Sequence, residues 1–120
     1  MKNFISFLVL FILLSTMISA IDLADFPEGS WIDQKYNAVW TFSTTNIVLT
    51  MIDGTPVFDF DGKIQNFKLS PGMDGLQLTF SSEEAGRSYK FIKDVSSLSL
   101  KMIIDRNNGE HYEVVMPIQK

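Results

Sequence analysis

Cysteine is absent from this chain of 120 residues, and histidine occurs once, as His111. Without cysteine the protein has no disulfide bond and no thiol nucleophile, so its stability has to come from packing. Zinc prefers histidine and cysteine ligands, which one histidine does not supply. His111 falls on the polar face of the last predicted strand, where a solvated side chain is expected. We therefore predict no catalytic residue, no metal site and no cofactor, and a protein that is not an enzyme.

Positive charge is also scarce. The sequence has 10 lysines and arginines against 14 aspartates and glutamates, which gives a net charge of −4. Nucleic acids and anionic membranes are bound by clustered lysine and arginine side chains. The acidic excess therefore argues against a nucleic-acid partner.

Several aspartates offer oxygen ligands of the kind that calcium prefers, namely Asp53, Asp59, Asp61 and Asp74. Three of the four directly precede a glycine, where aspartate commonly stabilises a tight turn. Their spacing does not match an EF-hand loop. We interpret them as turn residues and not as a calcium site.

The first 20 residues have the order of a secretory signal. Lys2 is followed by an uncharged apolar run, which softens at Ser15 and Thr16 and ends at the small residues Ser19 and Ala20. This pattern predicts a signal helix over 1–20, cleavage near Ala20 and a secreted or periplasmic protein. The alternative is an uncleaved anchor, because residues 4–21 carry no charge and nearly suffice to span a bilayer. A membrane is a partner only in that second case.

The remaining sequence predicts a lead-in over 21–28 and one β-domain over 29–120, because apolar residues recur at every second position after Gly29. Asp53-Gly54 and Asp61-Gly62 are hairpin signals and predict three strands in an antiparallel meander. We predict an all-β fold: a small antiparallel up-and-down barrel of eight to nine strands, since closing the sheet lets each single apolar face fill one interior. The predicted inward-facing residues are Trp40, Phe42, Leu49, Met51, Phe58, Phe60, Leu78, Phe80, Tyr89, Phe91, Leu98, Leu100, Met102, Tyr112, Val114 and Met116.

The tripeptide Gly29-Ser30-Trp31 on the first strand resembles the Gly-x-Trp motif of small bacterial lipocalin-like domains of the calycin superfamily. Trp40-Thr41-Phe42 is similar to their aromatic second strand, and Tyr89, Leu98-Ser99-Leu100, Gly109 and Tyr112 are similar to a later run. The resemblance implies a structural role for Gly29 and Trp31, with the indole ring closing the base of a barrel. A second segment, 85–89, is similar to a loop of periplasmic lysozyme inhibitors, which are also small barrels.

Two functions remain open for an exported domain, and a third, that of a membrane-tethered structural domain, requires residues 1–20 to be retained. The first is a non-catalytic binding module that holds a small hydrophobic molecule inside the barrel. The second is a protein-interaction or inhibitor domain with a filled interior, which docks on a protein partner through loops 70–75 and 82–87. The same side chains serve either as cavity lining or as core, and the candidate ligand-binding residues are Trp40, Phe42, Met51, Phe60, Phe80, Tyr89, Phe91, Met102 and Tyr112.

Overall fold

The computed structural model describes residues 22–119, which form antiparallel β-structure with no helix in that range. The predicted all-β class is therefore confirmed. The predicted signal helix over 1–20, its cleavage site and the alternative anchor lie outside the described residues. Between Asp22 and Gln119, no helix has the length and hydropathy needed to cross a membrane. The strands are β1 (Gly29–Asp33), β2 (Ala38–Phe42), β3 (Ile47–Met51), β4 (Pro56–Asp59), β5 (Gln65–Gly72), β6 (Gly75–Ser82), β7 (Arg87–Lys93), β8 (Leu100–Arg106) and β9 (His111–Met116).

The strands form two sheets in sequence order, β1 to β4 and β5 to β9, with every neighbouring pair antiparallel. In the first sheet Trp31 lies opposite Trp40, and in the second Leu78 lies opposite Phe91. Because side chains alternate across a strand, these registers place the apolar rows of neighbouring strands on one face. The two apolar faces enclose a shared interior.

The two sheets are joined at one edge, where β1 of the first sheet bonds to the residues that follow β9 of the second. Trp31 and Ile118 form an antiparallel bridge, the N–H of Ile32 donates to the carbonyl of Pro117 at 2.9 Å, and Gln119 donates to Ser30 at 2.8 Å. These backbone bonds join β1 to the end of the described chain. The interior is therefore enclosed along this side.

The sheet is not closed into a barrel between β4 and β5, and in this respect the predicted closed barrel is wrong. Three hairpin turns separate β1 from β4, so these two strands are antiparallel. Four turns separate β5 from β9, so these two strands are parallel. The residues after β9 run antiparallel to β1, so β5 has the direction of β4. Neighbouring parallel strands need a crossover of about a dozen residues or more, and only residues 60–64 separate these two. The link is too short to pair the two strands.

The two Asp-Gly signals have different outcomes. At Asp53-Gly54 a hairpin forms as predicted, although its loop has three residues: Met51 donates to the carbonyl of Thr55 at 2.8 Å and Gly54 has a φ of 92°. This corresponds to a type I turn followed by a left-handed glycine. At Asp61-Gly62 a turn also forms, but β4 and β5 do not pair across it. The predicted three-strand meander is therefore wrong at its second turn.

All of the predicted inward residues except Leu98 are buried or half-buried, and Leu98 is 66% exposed. Leu98 precedes β8 and lies in the loop after β7, so the strand alternation does not extend to it. The core also includes six residues that the predicted inward set omitted: Leu23, Phe26, Trp31, Ile47, Ile64 and Ile104.

The lead-in segment packs against one end of the interior. Leu23 and Phe26 are almost fully buried, and Leu23 donates its backbone N–H to Thr44 at 2.9 Å. The Phe26 ring lies 5.3 Å from that of Phe42, and the Trp31 ring meets Phe42 edge-on at 5.5 Å. A side chain at Gly29, which has a φ of 153°, would approach the Trp31 ring to 3.3 Å. Glycine at this position therefore gives the indole its space at the covered end.

Candidate functional site: a cavity at the uncovered end

A cavity of about 390 Å³ lies within the part of the interior that the lead-in does not cover. Turns of both sheets surround it, because its wall includes Asp33 before the β1–β2 turn, Met51 before the β3–β4 turn and Arg87 at the start of β7. This volume falls in the lower part of the usual range for small-molecule sites, about 300–1,000 Å³. The apolar part of the wall consists of Ala38, Trp40, Leu49, Met51, Val57, Met102 and Ile104.

Four of the nine predicted ligand-binding residues line this cavity: Trp40, Met51, Met102 and Tyr112. The other five lie outside its wall and belong to the hydrophobic core. Those five residues are Phe42, Phe60, Phe80, Tyr89 and Phe91.

The aromatic core meets the cavity at Trp40. The indole ring contacts the rings of Phe60, Tyr89 and Phe91, with centroids 5.7, 5.6 and 5.3 Å away. Aromatic rings at such spacings fill volume efficiently and hold one another in place. The sequence left open whether the inward side chains line a cavity or fill the core, and Trp40 does both, since it packs in the aromatic core and also lines the cavity.

A buried carboxylate that was not among the predicted site residues belongs to the cavity wall. Asp33 is 2% exposed, and both of its oxygens accept from the Tyr112 hydroxyl at 3.0 Å. The Lys35 backbone N–H donates to the same carboxylate at 3.1 Å. Burial, together with the adjacent Asp33 charge, raises the pKa of Tyr112 to about 12. Strand alternation indicates that Asp33 faces the interior, because Asp33 shares a face of β1 with the inward-facing Trp31.

Lys35 and Tyr36 lie beside this pair in the β1–β2 turn. The Lys35 ammonium is 5.4 Å from the Tyr36 ring centroid and 5.3 Å from that of Tyr112, within the range of a cation–π interaction. The two rings meet edge-on at 5.5 Å. Tyr36 is 55% exposed, so this cluster forms part of the rim of the cavity.

Two arginines on β7 and β8 also belong to the cavity wall. Arg87 and Arg106 lie directly across from each other on β7 and β8, and both line the cavity. Arg106 forms an ion pair with Glu110 at 2.9 Å. Burial raises the pKa of Tyr89, and the neighbouring Arg87 guanidinium partly offsets that rise. Neither arginine was among the predicted site residues, although Arg87 shares a strand face with Tyr89 and Arg106 shares one with Met102.

His111 has the exposed position that the sequence predicted. Its Nδ1 lies 2.6 Å from an Asp105 oxygen and its Nε2 lies 3.5 Å from a Glu113 oxygen. The hydrogen bond with Asp105, followed by that with Glu113, raises the pKa of His111. Within residues 22–119, no group of three or more histidines, aspartates or glutamates is arranged to hold a metal ion.

The two loops predicted to dock on a protein partner lie at opposite ends of β6. Only residues 73–74 of the first predicted loop lie outside the strands, between β5 and β6, and only residues 83–86 of the second, between β6 and β7. Arg87, at the start of β7, lines the cavity. A strand of eight residues is about 23 Å long at about 3.3 Å per residue. The loops therefore do not form one continuous surface.

The fold and site define a class, an open antiparallel β-protein with a cavity at one end that has an apolar wall and a charged rim. Comparison with protein families, curated proteins and solved structures found no match for the chain.

Proposed function

We propose that this protein is a non-catalytic binding protein that holds a small apolar molecule in the cavity above Trp40. The observation that carries the proposal is the open volume of about 390 Å³ against an apolar wall. Met51 and Met102 belong to this wall, and methionine side chains adapt to ligands of irregular shape. An apolar ligand would be stabilised by removing its surface, and that of the wall, from water.

The lipocalin-like resemblance supports the same proposal at the level of architecture. The Gly29-x-Trp31 motif lies at the end covered by the lead-in, while the cavity lies at the other end. An interior that is covered at one end and accessible at the other suits the binding of a small ligand. We include in the proposal a lipocalin-like origin and export by cleavage near Ala20, which N-terminal sequencing of the exported protein would test by finding a start at Ile21.

The binding experiment uses the neutral fluorophore N-phenylnaphthylamine, whose emission rises on leaving water. Wild-type protein should enhance its emission in a saturable way. Ala38→Phe places a ring in the cavity wall and should weaken binding by about tenfold or more, since the added volume occupies the site. Thr41→Phe adds the same ring to an exposed position of the same strand and should leave binding unchanged.

Circular dichroism of each variant establishes that it is folded before binding is compared. Absence of saturable binding to the wild-type protein would refute the proposed function. Equal binding by the wild-type protein and a folded Ala38→Phe variant would also refute it, because the probe would then occupy another surface.

A further inference from the structure

The charged rim of the cavity differs from the rest of the molecule. The chain as a whole has a net charge of −4. The cavity wall nevertheless includes three cationic side chains, Lys35, Arg87 and Arg106, against two acidic ones, Asp33 and Glu110. Local positive charge on an acidic protein concentrates anions at that place.

The two arginines reach the cavity because of strand alternation. Arg87 lies on the inward face of β7, two residues before Tyr89 in the row that also contains Phe91, and both aromatic residues are buried. Arg106 follows the inward row of β8 that contains Met102 and Ile104. Each arginine therefore lies at the end of a row of core side chains, at the edge of the cavity, where Arg87 is half-buried and Arg106 is exposed.

Their placement as direct cross-strand partners is electrostatically unfavourable. Like charges opposite each other on neighbouring strands destabilise a sheet, because their Cβ atoms are only about 5 Å apart. Glu110 offsets the charge of Arg106 through an ion pair. Among residues 22–119, no carboxylate lies within ion-pair distance of Arg87. An anionic group between the two guanidiniums would relieve this repulsion.

The acidic groups of the wall do not cancel this effect at Arg87. Asp33 accepts the Tyr112 hydroxyl and the Lys35 N–H, and the Lys35 side chain lies over the Tyr112 ring beside it. Glu110 is engaged by Arg106. The apolar wall and Arg87 thus offer two different surfaces within one cavity.

We infer that the ligand of this cavity is an amphipathic anion, with its apolar part against Trp40 and Met102 and its acidic head at the pair Arg87 and Arg106. This inference rests on the proposed function and adds the chemical class of the ligand. A planar guanidinium forms paired hydrogen bonds with either a carboxylate or a phosphate, so the shared feature is an anionic oxygen head group.

The experiment compares decanoate, decyl phosphate and decanol as competitors that displace N-phenylnaphthylamine from the wild-type protein. The three share one apolar chain and differ in the head group. We expect both anions to displace the probe at about tenfold lower concentration than decanol, which is the size of effect typical of one charge-assisted hydrogen bond. The tighter of the two anions identifies the head group as carboxylate or phosphate.

Arg87→Met should abolish the preference for the anions while decanol still displaces the probe. Lys90→Met removes the same charge from the same strand, on the face opposite to Arg87, and should keep the preference. Arg106→Met is a second variant for the case in which Arg87→Met does not fold, and it should reduce the preference. Raised salt should reduce the preference of the wild-type protein, because salt screens the charges of the two arginines at the edge of the cavity.

The outcomes separate this inference from the proposed function. Equal displacement by decanol and both anions, or an unchanged preference in Arg87→Met, would overturn the inference and leave the apolar binding site intact. A probe that fails to bind, or binds equally to Ala38→Phe, would remove the proposed function itself. Preference for the anions together with its loss in Arg87→Met and retention in Lys90→Met supports both.

Discussion

The indole nitrogen of Trp31 donates a hydrogen bond of 2.8 Å to the backbone carbonyl of Leu98, which is 67 positions further along the chain. This bond ties the first strand of one sheet to the β7–β8 loop of the other. Only the carbonyl of Leu98 takes part, and its side chain is exposed. The contact therefore depends on the type of residue at position 31 and not on that at position 98.

Trp31→Phe should lower the free energy of unfolding by about 2 kcal/mol, because it removes the hydrogen bond and part of a ring that is 1% exposed. Leu98→Ala is the matched control and should cost less than about 0.5 kcal/mol, since the carbonyl remains and the lost side chain is exposed. Urea unfolding followed by circular dichroism measures both. Equal destabilisation by the two substitutions would show that the indole hydrogen bond does not hold the loop.

Loss of the Tyr112 proton should make the protein less stable in strong alkali. The pKa of Tyr112 is raised from 10.0 to about 12 in the folded state, so the unfolded chain loses the proton first as the pH rises. The contribution to stability is present below pH 10 and is lost between about pH 10 and about pH 12. Tyr112→Phe should show a smaller fall of the urea midpoint across this interval. Tyr36→Phe, which leaves the Asp33 contact in place, is the control and should keep the wild-type fall.

The pKa of His111 reports on the neighbouring carboxylates. It can be measured directly, because His111 is the only histidine of the chain and its ring proton resonances are unambiguous. Asp105→Asn removes the main cause of its raised pKa, so an NMR titration should show that pKa moving down toward 6.5. Glu113→Gln removes the second cause and should move it less. An unchanged His111 titration in Asp105→Asn would contradict the contact between the two side chains.

Gly75 should tolerate no side chain. A Cβ at this position would lie 2.3 Å from the Lys93 carbonyl oxygen, and the φ of +131° is itself unfavourable for other residues. We expect Gly75→Ala to cost about 3 kcal/mol or more. Gly109→Ala is the control, because its φ is +90° and no atom lies within 4 Å of the added Cβ, so only the backbone cost of about 1 kcal/mol applies. Thermal unfolding of both variants should separate clash from backbone strain.

The period-two pattern after Gly29 predicted the inward faces of the strands well. Trp40, Phe80 and Phe91 are buried as expected because alternation is a local property of the extended chain. The same rule, carried into the loop after β7, misplaced Leu98. Burial of Leu23 and Phe26 had no comparable signal, since their segment forms no strand and is buried only by contacts with distant residues.

The candidate site was predicted only in part. Trp40, Met51, Met102 and Tyr112 do line the cavity, whereas Asp33, Arg87 and Arg106 were not singled out. Charged residues at strand ends usually face solvent, and a local pattern does not show whether the adjoining interior is filled. That depends on the summed volume of side chains from both sheets.

The sequence by itself determined that the protein is all-β, lacks thiol chemistry and has one apolar face on most strands, because these properties follow from composition and from neighbours two residues apart. Tertiary structure decided where the sheet stays open and where the interior stays empty. The bridge between Trp31 and Ile118 sets the direction of the second sheet, so β4 and β5 run the same way across a link of five residues. Pairings this distant in sequence bring the arginines, the tyrosines and the apolar wall around one cavity.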